Sequence, residues 1–200
     1  MNIGRLSTEK LSILLFLLLF KRRVGRRRIS QELGLGEGRV RRILGELRDD
    51  GLIEVLRGGT SLTPKGREFI HAVFSGYGVQ KVAEVKVEEL GSDVHAVAFH
   101  VRGLEVTNAV GIRDAAVREG ADGAIISVLV GGVFSLPPAG YELRTYMPSL
   151  CTTLRNEFTV TEGDVVILAF SKSMGNAIKG ALGALLYAFK LKPSSTSELR

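Results

Sequence analysis

Arginine and glycine share one stretch of the chain, Glu37-Gly38-Arg39-Val40-Arg41-Arg42-Ile43-Leu44-Gly45. A guanidinium group carries a fixed charge and a fork of donors that matches phosphate oxygens and guanine edges. Val40, Ile43, Leu44 and Leu47 fall at i, i+3, i+4 and i+7, so they form the core stripe of a helix and leave Gly38, Arg41, Arg42, Gly45 and Asp49 on or near its other face. Glycine inside a helix costs up to about 1 kcal/mol relative to alanine, so two on an exposed face call for a reason. A helix lying in a DNA major groove supplies one, because the missing side chains let its backbone approach the duplex.

A second cluster, Ser171-Lys172-Ser173-Met174-Gly175-Asn176, stands between the apolar run Val165–Phe170 and a helix start. Free backbone N–H groups and the helix dipole favour an anion there, and Lys172 and the serines would add to it. Gly131 and Gly132 also follow a buried strand and are expected to line the same sheet edge, where ligands of α/β folds tend to bind. A small anionic effector held by Ser171, Lys172, Ser173, Gly175, Asn176, Gly131 and Gly132 is one reading of these residues, and an ordinary capped turn is the other. Catalysis has little to rest on. His71, His95 and His100 lack metal-ligand spacing, and on a strand His95 and His100 face opposite ways. No phosphate-binding P-loop is present, and no cofactor is expected.

Charge separates the two clusters. The chain carries a net +6 with a pI near 9.7. Residues 1–78 hold 15 Lys and Arg against 8 Asp and Glu, and residues 79–200 hold 12 against 13. A polyanion partner would therefore meet the N-terminal part. From Lys10 to Gln31 there are seven cations, among them Arg26, Arg27 and Arg28, and no acid. The single cysteine, Cys151, excludes an internal disulfide and fits a reduced, cytoplasmic protein. The run LSILLFLLLF is about half the length that a membrane span needs, and the basic stretch after it reverses the order of a signal peptide, so no membrane partner is expected.

Around these residues the N-terminal elements read in order. Ser7 or Thr8 caps an apolar helix to about Lys21, too apolar for one stripe and so either wrapped by neighbours or shared with a second subunit. A short helix from Ile29 to Leu33 ends at Gly34, and the arginine helix follows. Leu52–Leu56 and Ser61–Thr63 flank the tip Arg57-Gly58-Gly59-Thr60 as a β-hairpin, and Thr63-Pro64 opens another helix.

The segments ISQELGLGEGRVRRILGELRDDGLIEV and LTPKGREFI resemble the winged helix-turn-helix domains of prokaryotic and archaeal transcription regulators over residues about 7–75. The resemblance implies a recognition helix in the major groove and a wing on the backbone or minor groove. Residue by residue, it implicates Gly38, Arg39, Arg41 and Arg42 on the helix and Arg57 with Thr60 at the wing. This chain has Gly36-Glu37-Gly38 where the family often begins the helix with Ser or Thr.

Ser75-Gly76-Tyr77-Gly78 reads as the linker to the second half. There Val79–Val87 and Val94–Val101 are expected to pair through Gly91-Ser92-Asp93, followed by a helix at about 105–119, a buried strand at 124–130, a loop, a helical stretch within 141–157 blurred by Pro148, strand 165–170 and a last helix at about 177–191. Asp93-Val94-x-x-Val97-Ala98-Phe99 echoes Asp164-Val165-x-x-Leu168-Ala169-Phe170, a faint repeat of a strand and helix. This half is similar to the α/β domain that follows a winged helix in some archaeal proteins.

The expected fold class is α+β, a winged helix-turn-helix domain (1–76) followed by an α/β sandwich domain (77–192) and a disordered tail (193–200). The expected function is a transcriptional regulator that binds double-stranded DNA, a homodimer whose C-terminal domain senses a small anion or holds the dimer. The alternative is an enzyme acting on a small anionic metabolite, with the basic domain as a docking module.

Overall fold

The computed structural model describes residues 6–190 and is a mixed α+β structure. The tail expected at 193–200 lies outside the described residues. Ser7 accepts a hydrogen bond from the Lys10 amide and starts α1 (Thr8–Phe20), of which Leu11 to Leu17 are all buried. Helices α2 (Arg26–Leu33), α3 (Glu37–Asp49), α4 (Pro64–Gly76) and α8 (Met174–Lys190), with the hairpin strand β2 (Gly59–Leu62), contact or surround it. The apolar helix is thus wrapped within its own chain.

Helix α2 begins three residues before the expected Ile29, so Arg26, Arg27 and Arg28 form its first turn. Gly34, at φ 63°, ends it, with the Leu35 amide donating back to the Ser30 carbonyl at 3.1 Å. Helix α3 buries Val40, Ile43, Leu44 and Leu47, the stripe read from the sequence. Strand β1 (Ile53–Leu56) pairs antiparallel with β2. Thr63 caps α4 by accepting from the Gly66 amide at 3.0 Å. A Cβ on Gly66 would lie 1.9 Å from the Leu52 carbonyl oxygen, which explains the glycine closing Leu-Thr-Pro-Lys-Gly.

The second half is a six-stranded sheet in the order β3-β4-β8-β5-β6-β7, with every neighbouring pair antiparallel. The strands are β3 (Val79–Val85), β4 (His95–Val101), β5 (Gly123–Val130), β6 (Val133–Leu136), β7 (Tyr141–Glu142) and β8 (Val165–Ser171). Helices α5 (Ala109–Arg118) and α8 cover one face, and α6 (Leu143–Tyr146) with α7 (Pro148–Glu157) cover the other. Strands β4 and β8 are buried on both sides, which is why their sequences are continuously apolar. Pro148 is the first residue of α7 and splits the expected helical stretch in two. The stretch read as a loop after Val130 is a hairpin: Gly131 and Gly132, at φ 57° and 77°, form the two-residue turn into β6. Helix α5 starts at Ala109, later than expected, because Asn108 caps it by accepting from the Gly111 amide.

The echo between 93–99 and 164–170 has a geometric counterpart. Val97 pairs with Ala169 and Ala98 with Leu168, so the two strands exchange equivalent positions across an approximate two-fold. Each copy is a strand pair followed by a helix, β3-β4-α5 and β5-β8-α8, with β6, β7, α6 and α7 inserted in the second.

The halves share a core, since α1, α2, α4 and α8 side chains belong to one buried cluster. The expected linker is correspondingly tight. Ser75 and Gly76 close α4, Tyr77 packs edge-on against Phe189 at 5.2 Å, and the Gly78 carbonyl accepts from the Arg102 amide.

One buried polar group stands at the end of the sheet. The Asp164 carboxylate, 2 % exposed, meets His100 Nε2 at 2.8 Å and accepts from Arg102 Nε at 3.2 Å and the Thr161 amide at 2.8 Å. Burial opposes its charge, but Arg102, the Thr161 amide, His100 and the Thr161 hydroxyl outweigh burial and hold the carboxyl well below the usual range. A lowered carboxyl contributes stability that is complete above its unfolded value of about 4 and is lost as pH falls toward the folded value. Asp164→Asn should cost roughly 2–4 kcal/mol in urea unfolding at pH 7. The gap between the two proteins should narrow below about pH 4; a gap constant with pH would show that the charge of Asp164 does not matter.

Candidate nucleic-acid interface

The two sides of α3 differ in how their arginines are held. Toward α1, Arg39 Nε pairs with Glu9 Oε2 at 3.0 Å, and Arg42 pairs with Glu46 at 2.7 Å. Glu46 in turn meets Lys10 at 2.7 Å, and that hydrogen-bonded ammonium, with Arg42, keeps the Glu46 carboxyl below its ordinary value. Toward the β1–β2 hairpin, α3 turns Arg41, Gly45 and Arg48 into a groove of about 590 Å³. Arg26 of α2 and Arg57 of the hairpin tip complete its rim, and no acidic residue lines it.

Arg27, Arg41 and Arg57 make no ion pair among the described residues. Arg26 reaches Glu37 only at 3.9 Å, and Arg28 lies over the Phe20 ring at 4.5 Å from its centroid while pairing with Glu32 at 3.6 Å. All of these arginines are exposed. A Cβ built on Gly38 or Gly45 would meet nothing within 4 Å. Internal packing therefore gives no reason for either glycine, and the surface they leave bare is open to an incoming partner.

Thr60 has to be withdrawn from the contact set. It is 1 % exposed, and its backbone exchanges hydrogen bonds with Val24 at 2.9 and 2.8 Å, which pins the hairpin to the link between α1 and α2. Arg48, Val55 and Leu56 belong to the groove and were missed. Arg48 stands seven residues after Arg41 on the same helix side, so its signal was in the spacing, whereas Val55 shares a strand face with buried Ile53 and only the structure shows it exposed.

The expected anion site does not assemble. Because β5 and β8 run antiparallel, with Gly123 opposite Phe170 and Val128 opposite Val165, Gly131 and Gly132 lie at the end of the sheet remote from Ser171. The Ser171–Asn176 turn itself is occupied. The Lys172 amide donates to Asp122 at 3.1 Å, its ammonium meets Asp93 at 3.4 Å, and the Asn176 amide turns to the Ser173 hydroxyl. A Cβ on Gly175 would fall 1.7 Å from the Glu32 carbonyl oxygen, so the first turn of α8 is seated on the last turn of α2. Acceptors of the chain itself thus already take the Lys172 and Asn176 amides and the Lys172 ammonium.

Comparison with known proteins follows this division. The family model described as "Domain of unknown function (DUF4443)" matches residues 90–190, and the chain belongs to that family. The model described as "PH0730-like, N-terminal domain" matches residues 9–68. Among solved structures the chain is similar to hypothetical protein PH0730 from Pyrococcus horikoshii OT3, with 26% identity, a TM-score of 0.72, and coverage of 94% of this chain and 95% of that one. That neighbour is archaeal, in line with the archaeal type read from the sequence. None of the curated proteins matches.

Gly38→Ala and Gly45→Ala should each stabilise the isolated protein, by up to about 1 kcal/mol in denaturant unfolding, since helix propensity rises and no contact is strained. A loss of stability at either site would mean that the glycine serves the fold itself.

Proposed function

We propose that the chain is a DNA-binding transcriptional regulator whose N-terminal elements act as a winged helix-turn-helix, with α3 as recognition helix and the β1–β2 hairpin as wing. The observation that carries this reading is the acid-free groove between them, rimmed by Arg26, Arg41, Arg48 and Arg57 and floored by bare helix backbone at Gly45. Arg41 and Arg57 make no ion pair among the described residues and so break none before they reach phosphate or guanine, while Arg48 and Arg26 exchange exposed pairs with Asp49 and Glu37. Arg41 is the base reader, because it projects from the middle of α3 without a carboxylate. Arg26, Arg27 and Arg57 flank it as phosphate contacts, and Arg39 and Arg42, already held toward α1, are secondary. In this reading half-exposed Val55 and Leu56 lie against sugar or thymine methyl groups.

The C-terminal sheet then serves as the dimer-holding domain of a cytoplasmic homodimer. It takes that part in place of an effector sensor because the turn expected to bind an anion is filled by Asp93, Asp122 and α2.

Selection of bound sequences from a random duplex pool, followed by affinity measurements on the enriched site and on random DNA, tests the assignment. Arg41→Ala should cost about 1–3 kcal/mol on the enriched site and relax its sequence preference. Arg26→Ala and Arg57→Ala should weaken all duplexes alike. Gly38→Ala and Gly45→Ala should bind more weakly in spite of their added stability. If no sequence is enriched, or if the Arg41 variant loses affinity equally on both DNAs, α3 is not the reading helix.

A further inference from the structure

Helix α5 packs Ile112, Ala115 and Ala116 against α8 and the sheet, and turns Val110, Arg113, Asp114 and Val117 outward. These four stand at i, i+3, i+4 and i+7, so they form one stripe opposite the buried face. Val110 is 57 % exposed and Val117 43 %, so both ends of the stripe are apolar and open. Arg113 and Asp114 have no ion-pair partner among the described residues. Beside the stripe lies an apolar cleft of about 280 Å³ that Val110 shares with Pro137, Leu143, Tyr146 and Met147, and the Tyr146 ring is 58 % exposed.

The order Val-x-x-Arg-Asp-x-x-Val has a chemical symmetry. If a second α5 runs antiparallel to the first about a two-fold axis between residues 113 and 114, Val110 meets Val117 of the other helix at both ends. At the centre Arg113 meets Asp114 of the other helix, twice. An isologous interface requires such reciprocity, in which the residue that faces a partner residue is faced in turn by its counterpart. The two ion pairs sit between flanking valines, and each side chain of the stripe finds a complement in a copy of itself. We propose that this outer face of α5 is the surface on which a second copy of the chain docks, antiparallel and two-fold symmetric, with the cleft at Tyr146 extending the contact. The inference rests on the homodimer reading given above and is independent of DNA binding.

Sedimentation equilibrium of the full chain without DNA, over a concentration series, tests it with Arg113→Asp, Asp114→Arg and the double variant. Each single change turns both central pairs into like charges and should weaken self-association at least about 100-fold. The double change exchanges the charges, restores both pairs and should return the dimer to near wild-type affinity. The positions are exposed, so far-ultraviolet circular dichroism of all three variants should match the wild type, and melting temperatures should agree at concentrations low enough for every protein to be monomeric. A wild-type chain that is monomeric throughout would overturn the homodimer reading and this surface together. A dimer indifferent to the single changes, or one weakened by them and not rescued by the double change, would overturn the surface and leave a homodimer standing.

Discussion

The backbone of Gly175 lies against the last turn of α2 so closely that any side chain there would collide with the Glu32 carbonyl. That contact ties the two halves of the chain together. Helix α8 is the central cover of the sheet, and its first turn also forms the floor on which α2 rests. Because α2 and α3 are joined by the short turn at Gly34 to Gly36, the orientation of the basic groove follows from where α8 begins. The shared core continues this contact into α1 and α4. The same contact sets the Glu32 carbonyl against the first turn of α8.

Charge is distributed with similar economy. Arginines on the α1 side of α3 are tied to Glu9 and Glu46, whereas on the hairpin side Arg48 pairs with its neighbour Asp49 at 2.9 Å and Arg41 makes no ion pair among the described residues. Exposed ion pairs contribute little to stability, so the tied set is better understood as keeping the side chains of α3 apart than as holding the fold. Stability resides in the apolar helices α1 and α8 and in the doubly covered strands β4 and β8. The arginine face can then be shaped by a partner's needs without penalty to the core.

The N-terminal elements were legible in the sequence because each carries its own punctuation: Ser7 and Thr63 as caps, Gly34 as a stop, and a four-residue apolar stripe in α3. Of the groove arginines Arg41 followed from helical spacing, while Arg57 rested on the hairpin tip and Arg26 on the run of cations; Thr60 was misplaced, since only the pairing with Val24 reveals that it faces inward. The second half was harder to read. Its strands could be found as apolar runs, but strand direction is a tertiary property, and assuming a shared edge put Gly131 and Gly132 on the wrong end of an antiparallel sheet. The double glycine was itself a hairpin signal, and it was read as part of a loop. The Asp164 cluster joins residues more than sixty positions apart, and only the pairing of β4 with β8 brings them together.

The central claim is that an acid-free arginine groove binds duplex DNA through its phosphates. The most direct measurement is the affinity of the full chain for a short random duplex as a function of salt concentration. Counterion release predicts a linear fall of log K with log salt, with a slope of about −4 to −5 if four to six phosphates are neutralised. Binding that is absent at low salt, or that holds constant as salt rises, would contradict the account.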